Sequence, residues 1–248
     1  MKHLQPNEIL TSTIEILLPA RCHICGRRVW QTPICQSCTP TLPDKIDRCP
    51  ICYTPWSNNN TCLYCRLHPL PCIKMRFLWG YSGAARRLVN VMKYHPSPAL
   101  CKVAGELLAN ALPSLELGSD FDLVVPIPSS RSNLILRGFN QCDILAEYVA
   151  AALEIDLDYL ALRHTKKITP QASLSHNERL RNMKDTFAVS SKKIIGKRIL
   201  IVDDVITTGA TTNSAAQTLL RGGAAAVGIL ALIRSDNWLN FRDKLLSK

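Results

Sequence analysis

Eight of the eleven cysteines fall in pairs at one fixed interval. Cys22 pairs with Cys25, Cys35 with Cys38, Cys49 with Cys52 and Cys62 with Cys65, all within residues 22–65. Two intervening residues let a tight turn aim both sulfurs at one ion, and two such turns complete a tetrahedron. The spacing predicts two structural zinc ions, each closed by four thiolates and without an open position for a reactive water. Sequential sharing would gather Cys22, Cys25, Cys35 and Cys38 on one ion, and Cys49, Cys52, Cys62 and Cys65 on the other. A cross-brace would instead join the first knuckle to the third. The sequential form closes shorter loops and is the expected one. Disulfides are the poorer reading in a chain with no export signal. Aliphatic residues are sparse here while Pro and Asn are common, so metal must supply most of the folding energy. Trp30, Tyr53, Trp56 and Tyr64 are expected to cover the small core, with stacking on nucleic-acid bases as the alternative. Cys72, Cys101 and Cys142 lack partners at ligand spacing and read as packing residues.

A second cluster lies in ILIVDDVITTGAT, residues 199–211. A buried strand cannot leave two carboxylates unpaired in its interior, so Asp203 and Asp204 are expected to emerge at its end. There they could accept hydrogen bonds from vicinal sugar hydroxyls or lie near a divalent cation. The following Thr207, Thr208, Gly209, Ala210 and Thr211 offer backbone N–H groups, hydroxyls and a helix N-terminus, which suit a phosphate dianion. A Walker loop is excluded, because its lysine and glycine pattern are missing. Sugar hydroxyls beside a phosphate describe a ribose 5-phosphate. The bland alternative is a pair of caps followed by an ordinary turn.

The elements that must position this cluster read as an α/β parallel sheet. Residues 122–128 form a short apolar run suited to a buried strand, and residues 139–153 an amphipathic helix. Strands are expected again at 198–205 and 227–233, flanking a helix at 211–221 that Gly222 and Gly223 end. Strand–helix–strand order at this spacing gives parallel strands with crossover helices, whose ligands sit at the carboxyl ends. Residues 126–131 fall there as well. At the N-terminal side, Leu10, Ile14, Leu17 and Leu18 recur at helical spacing between Asn7, a possible N-cap, and Pro19, a stop. Two units result: residues 1–72 with the short helix and the knuckles, and residues 73–248 with the sheet. No apolar run approaches the ~20 residues that span a bilayer, and no signal-peptide pattern opens the chain. A cytoplasmic protein without a transmembrane segment is the expectation, peripheral to the inner face of the membrane only through partners.

ILIVDDVITTGAT resembles the phosphoribosyl-pyrophosphate (PRPP) signature of type I phosphoribosyltransferases. The rest is similar to the ComF family of competence-associated proteins: cysteine knuckles, then VPIPSSR with RGFNQ, then TPQ with SHNERLRNMKDTF, then the signature. The match covers roughly residues 15–235. It implies a phosphoribosyltransferase-type fold preceded by a small double zinc-ribbon module. Asp203 and Asp204 would hold the ribose hydroxyls, with Val205 beside them, and Thr207, Thr208, Gly209, Ala210 and Thr211 the 5-phosphate. Pro126, Ile127, Pro128, Ser129, Ser130 and Arg131 would form the pyrophosphate loop, where Arg131 could meet the diphosphate. Magnesium would arrive with PRPP, held mainly by substrate oxygens. Purine-salvage members of the superfamily place an aspartate as general base where this chain has Thr207. Transfer to a purine base is therefore not expected.

The formal net charge is +11. Two four-cysteine zinc sites, each carrying −2, would lower it to about +7 and leave the chain basic. Residues 163–198 hold ten lysines and arginines against Glu178 and Asp185. Such a run is a solvated face or a groove for nucleic acid. The ComF resemblance, with its association with DNA uptake in natural transformation, favours a groove for single-stranded DNA. Arg163, Lys166, Lys167, Arg179, Arg181, Lys184 and Arg137 are its candidate contacts, with His164, His176, Arg86, Arg87 and Lys93 nearby. Three classes of function follow. The first is a competence protein that binds single-stranded DNA and carries a PRPP pocket. The second is a true phosphoribosyltransferase with an unknown acceptor. The third is an adaptor that docks a competence helicase or channel protein through its ribbons.

Overall fold

The computed structural model describes residues 21–30, 32–40, 48–55, 60–67, 69–95, 97–117, 121–165 and 186–235. The expected helix before the knuckles, Trp56, and Lys166, Lys167, Arg179, Arg181 and Lys184 of the basic segment lie outside these residues.

Five parallel strands form the central sheet in the order β1-β7-β6-β2-β3. They are β1 (Lys74–Gly80), β2 (Leu123–Pro126), β3 (Asp156–Leu157), β6 (Arg198–Ile206) and β7 (Ala226–Arg234). Along β6, Ile199 and Ile201 face one side while Leu200 and Val202 face the other, and every one of them is buried. A strand apolar on both faces needs cover on both. The helices α2 (Gly83–Tyr94), α3 (Pro98–Ala111) and α5 (Gln141–Leu153) supply Leu88, Met92, Leu108 and Leu145 to one core. The helix α6 (Ala210–Arg221) and the antiparallel pair β4 (Leu162–His164) and β5 (Phe187–Val189) close the other. A short helix, α4 (Arg131–Arg137), joins β2 to α5 and buries none of its residues.

The knuckles form two copies of one unit offset by 27 positions. Bridges Arg21–Arg28 and Arg48–Pro55 correspond under this shift. So do the turn bonds from Gly26 N–H to Cys22 O (2.8 Å) and from Tyr53 N–H to Cys49 O (2.9 Å). Both turns need a left-handed residue: Gly26 has φ +72° and Tyr53 has φ 57°. Glycine adopts this region freely, whereas a side chain there costs roughly 1–2 kcal/mol. The Tyr53 ring offsets that cost by its position. It lies edge-on to Phe77 of β1, with the Arg48 and Arg76 guanidiniums 4.7 and 4.8 Å from its ring centre. The second copy is thereby keyed to the sheet, and its short helix α1 (Leu63–Leu67) carries the last cysteine knuckle's Cys65. Met75 N–H donates to Ile51 O at 2.7 Å, so the knuckle covers part of edge strand β1.

Candidate functional site

The two aspartates lie inside β6, not at its end: the strand continues to Ile206, and Asp203 and Asp204 are only 6% and 8% exposed. This corrects the expectation, and the reason is that β6 outruns one neighbour. Its pairing with β2 stops at Pro126–Val202, while its pairing with β7 continues to Arg234. Past Val202 the β2 side of β6 is therefore open, and the carboxylates meet side chains there instead of a strand. The pleat sends the two to opposite faces. Asp204 accepts from Gln141 Nε2 at 2.9 Å and lies 4.0 Å from Lys93 Nζ. Asp203 Oδ1 accepts from the Asp204 N–H at 2.8 Å and from the Cys142 thiol at 3.7 Å. Burial, reinforced by the neighbouring Asp204 carboxylate, pushes the Asp203 carboxyl up to about 8.

A cavity of about 250 Å³ opens over this pair. It is small beside the roughly 300–1,000 Å³ of drug-sized ligand sites and suits a phosphorylated sugar. The loop after β2 forms one wall with Ile127, Pro128, Ser129 and Ser130, and α6 adds Thr211. Asn140, the N-cap of α5, fixes that loop. Its side chain donates to Ile127 O at 3.0 Å and to Asp143 Oδ1 at 2.6 Å, and accepts from Ser129 Oγ at 2.8 Å. His164 Nε2 lies 2.9 Å from Pro128 O, an acceptor, so this nitrogen carries the proton and buttresses the same loop.

The expected site residues distribute unevenly. Pro126 is buried at the end of β2, and Val205 is half-buried in β6. Thr207 and Thr208 are exposed on the turn leading to α6, where Gly209 takes φ 78° at the N-cap and Ala210 begins the helix. Thr208 Oγ1 accepts from Ala210 N–H at 3.4 Å. Arg131 is exposed and does not line the cavity, whereas Arg137 and Lys93, counted among the basic-face candidates, do. Arg137 Nε is buried with no hydrogen-bond partner among the described residues. Arg163 is exposed on β4. Cys142 was expected to be a packing residue, yet it contacts Asp203 and lines the cavity, its thiol held protonated by burial above all. Sequence reasoning missed Gln141 as well, and placed His164 beside the basic segment rather than at the cavity. RGFNQ carried the signal for Gln141, because a motif resemblance flags positions without giving their roles.

The cysteines gather sequentially: Cys22, Cys25, Cys35 and Cys38 form one tetrad, and Cys49, Cys52, Cys62 and Cys65 the other. Cys25 and Cys35 sulfurs lie 3.7 Å apart, as do those of Cys52 and Cys62. Four Zn–S bonds of ~2.3 Å in a tetrahedron place sulfurs ~3.8 Å apart, so both tetrads fit zinc. Backbone N–H groups of Cys35 and Cys62 point at Cys22 and Cys49 sulfurs, both at 3.4 Å, as thiolate ligands require. A hydrogen bond with Cys65, working against burial and aided by Thr54 and the Arg234 charge, pulls the Cys52 thiol down to about 4. Of the knuckle aromatics, Tyr64 is buried, Tyr53 half-buried and Trp30 62% exposed.

Known proteins resemble the chain along both units. DNA utilization protein YhgH of Escherichia coli (strain K12) is 29% identical over 229 residues, which is 89% of this chain and 99% of that protein. Competence protein F of Haemophilus influenzae is 30% identical over 86 residues, 34% of this chain and 38% of that one. These similarities bear out the ComF resemblance. Among solved structures, the glutamine PRPP amidotransferase from B. subtilis, complexed with ADP and GMP, is 22% identical with a TM-score of 0.39. That match covers 53% of this chain and 25% of the other. The model of the phosphoribosyl transferase domain matches residues 91–244, which span the cavity wall from α2 to β7. On that match, over more than half of its length, the chain belongs to the phosphoribosyl transferase domain family.

Proposed function

We propose that this is a competence-related, phosphoribosyltransferase-like protein that binds PRPP in the cavity over Asp203 and Asp204 and handles single-stranded DNA on its basic surface. The observation that carries the pocket reading is the open side of β6, where two buried carboxylates, Gln141, Lys93 and Arg137 converge on about 250 Å³. Carboxylates and an amide suit the ribose hydroxyls. The residue 207–211 turn suits the 5-phosphate. Lys93 and Arg137 supply positive charge for the diphosphate, and magnesium would arrive with PRPP and add to that charge. With Thr207 in place of a carboxylate base, the pocket supports binding of PRPP without transfer to a purine.

The DNA part rests on the net charge of +11 and on the names of the relatives, a DNA utilization protein and a competence protein. Zinc in both tetrads serves as scaffold, since four sulfurs fill each ion's coordination. Titration of labelled single-stranded DNA, with and without PRPP and magnesium at two salt concentrations, tests the combined reading. Salt-sensitive binding is expected in both. Absence of binding at low salt would remove the DNA assignment, and release of pyrophosphate from PRPP on adding an acceptor would favour a true transferase.

A further inference from the structure

Gln141 sits at the first position of α5, 4% exposed, and lines the cavity. Its amide has one possible orientation. The partner at 2.9 Å is an Asp204 carboxylate oxygen, which as an acceptor must face the NH2 group. The carbonyl oxygen Oε1 is thereby turned away from Asp204, and it is buried with no donor among the described residues. A buried carbonyl left without a donor is costly, and among the described residues nothing supplies one, which fits a position built for a ligand. The groups beside it narrow the choice. Asp204, fixed by Gln141 and near Lys93, is an acceptor too, and Asp203 lies on the same open edge of β6. A ligand that satisfies adjacent acceptors must present adjacent donors.

We infer that Gln141 is a specificity-determining residue for the sugar: its Oε1 accepts a hydrogen bond from one of the vicinal hydroxyls of a ribose 5-phosphate. The inference rests on the PRPP reading of the cavity and goes beyond it in what it excludes. A sugar lacking one hydroxyl leaves Oε1 or a carboxylate buried and unpaired, and the pocket rejects it. The deoxyribose of DNA is such a sugar, so the DNA backbone does not occupy this cavity and the two ligands use separate surfaces.

The test titrates ribose 5-phosphate, 2-deoxyribose 5-phosphate and 3-deoxyribose 5-phosphate, each with magnesium, into the zinc-loaded protein. At least one deoxy sugar should bind roughly tenfold or more weakly than ribose 5-phosphate, the size of effect an unmade buried hydrogen bond produces. Gln141→Leu, its fold checked by thermal melting and zinc content, should weaken ribose 5-phosphate and compress that preference to within about threefold of unity. Equal binding of all three sugars by the native protein, or an undiminished preference in Gln141→Leu, would overturn the inference while leaving the pocket standing. No binding of ribose 5-phosphate or PRPP to the native protein would instead remove the pocket reading itself. Should Gln141→Leu fail to fold, Gln141→Met, of matched length and without an acceptor oxygen, makes the same comparison, since the Asp203 and Asp204 carboxylates alone can produce a preference in the native protein.

Discussion

Asp204 holds two cationic or N–H partners, whereas Asp203 is met by a backbone N–H and a thiol, and this asymmetry sets their behaviour. Asp204→Asn removes a charged acceptor from the ribose position and is expected to weaken PRPP–magnesium binding by ~1.5–3 kcal/mol, measured by calorimetry. Asp203 gives a pH signature. Its carboxyl is raised to about 8 when folded, from an unfolded value near 4. The native state therefore keeps a proton that the unfolded chain releases across this window. The stability contributed is fully present below about pH 4 and is lost as pH rises to about 8. Thermal midpoints of the ligand-free protein should fall between pH 5 and 8, and Asp203→Asn should flatten that slope. A midpoint independent of pH over this range in the native protein would show that Asp203 is ionised throughout.

At the scale of elements, the two ribbons are attached differently although they repeat one another. The second tetrad lies against buried guanidiniums: Arg76 Nη1 donates to Pro50 O at 2.9 Å, and Arg234 Nη1 donates to Cys52 O. A zinc tetrathiolate carries −2, and the charges of Arg76 and Arg234 act on its cysteines. Purified protein should hold two zinc ions. Cys62→Ser should lose one and destabilise the sheet as well as the ribbon, by ~3–5 kcal/mol, because buried cations lose their counter-charge. Cys22→Ser should lose one zinc with a smaller drop in thermal midpoint. Elemental analysis with melting curves of both variants checks this, and equal midpoints would contradict the asymmetry. Much of this level was legible in the sequence. The continuous apolar runs at 199–202 and 227–233 read as strands buried on both faces, and four equal CxxC intervals as ligand turns. The convergence of Lys93, Gln141 and His164 was not legible, because helices α2 and α5 and hairpin strand β4 deliver them from distant positions. Nor was the burial of Asp203 and Asp204, which depends on β6 outlasting β2. The keying role of Tyr53 is visible only when its left-handed backbone is set beside that of Gly26.

For the whole molecule, a charge of +11 makes an anionic partner reasonable but does not locate it. If residues 163–198 form a groove, reversing Lys166 and Lys167 to glutamate should weaken single-stranded DNA binding more than reversing Lys244 and Lys248. The change in net charge is the same for both. Equal losses would indicate a general electrostatic effect and no groove. Affinity should fall with salt by ~0.7 log units per neutralised phosphate for each tenfold rise, with little dependence on sequence. The ribose, diphosphate and sugar-selectivity readings depend on the cavity being a PRPP site, and calorimetric titration of PRPP with magnesium into the zinc-loaded native protein tests that most directly. Saturable heat that Asp204→Asn diminishes is the predicted result; no heat and no thermal shift up to millimolar PRPP would contradict the account.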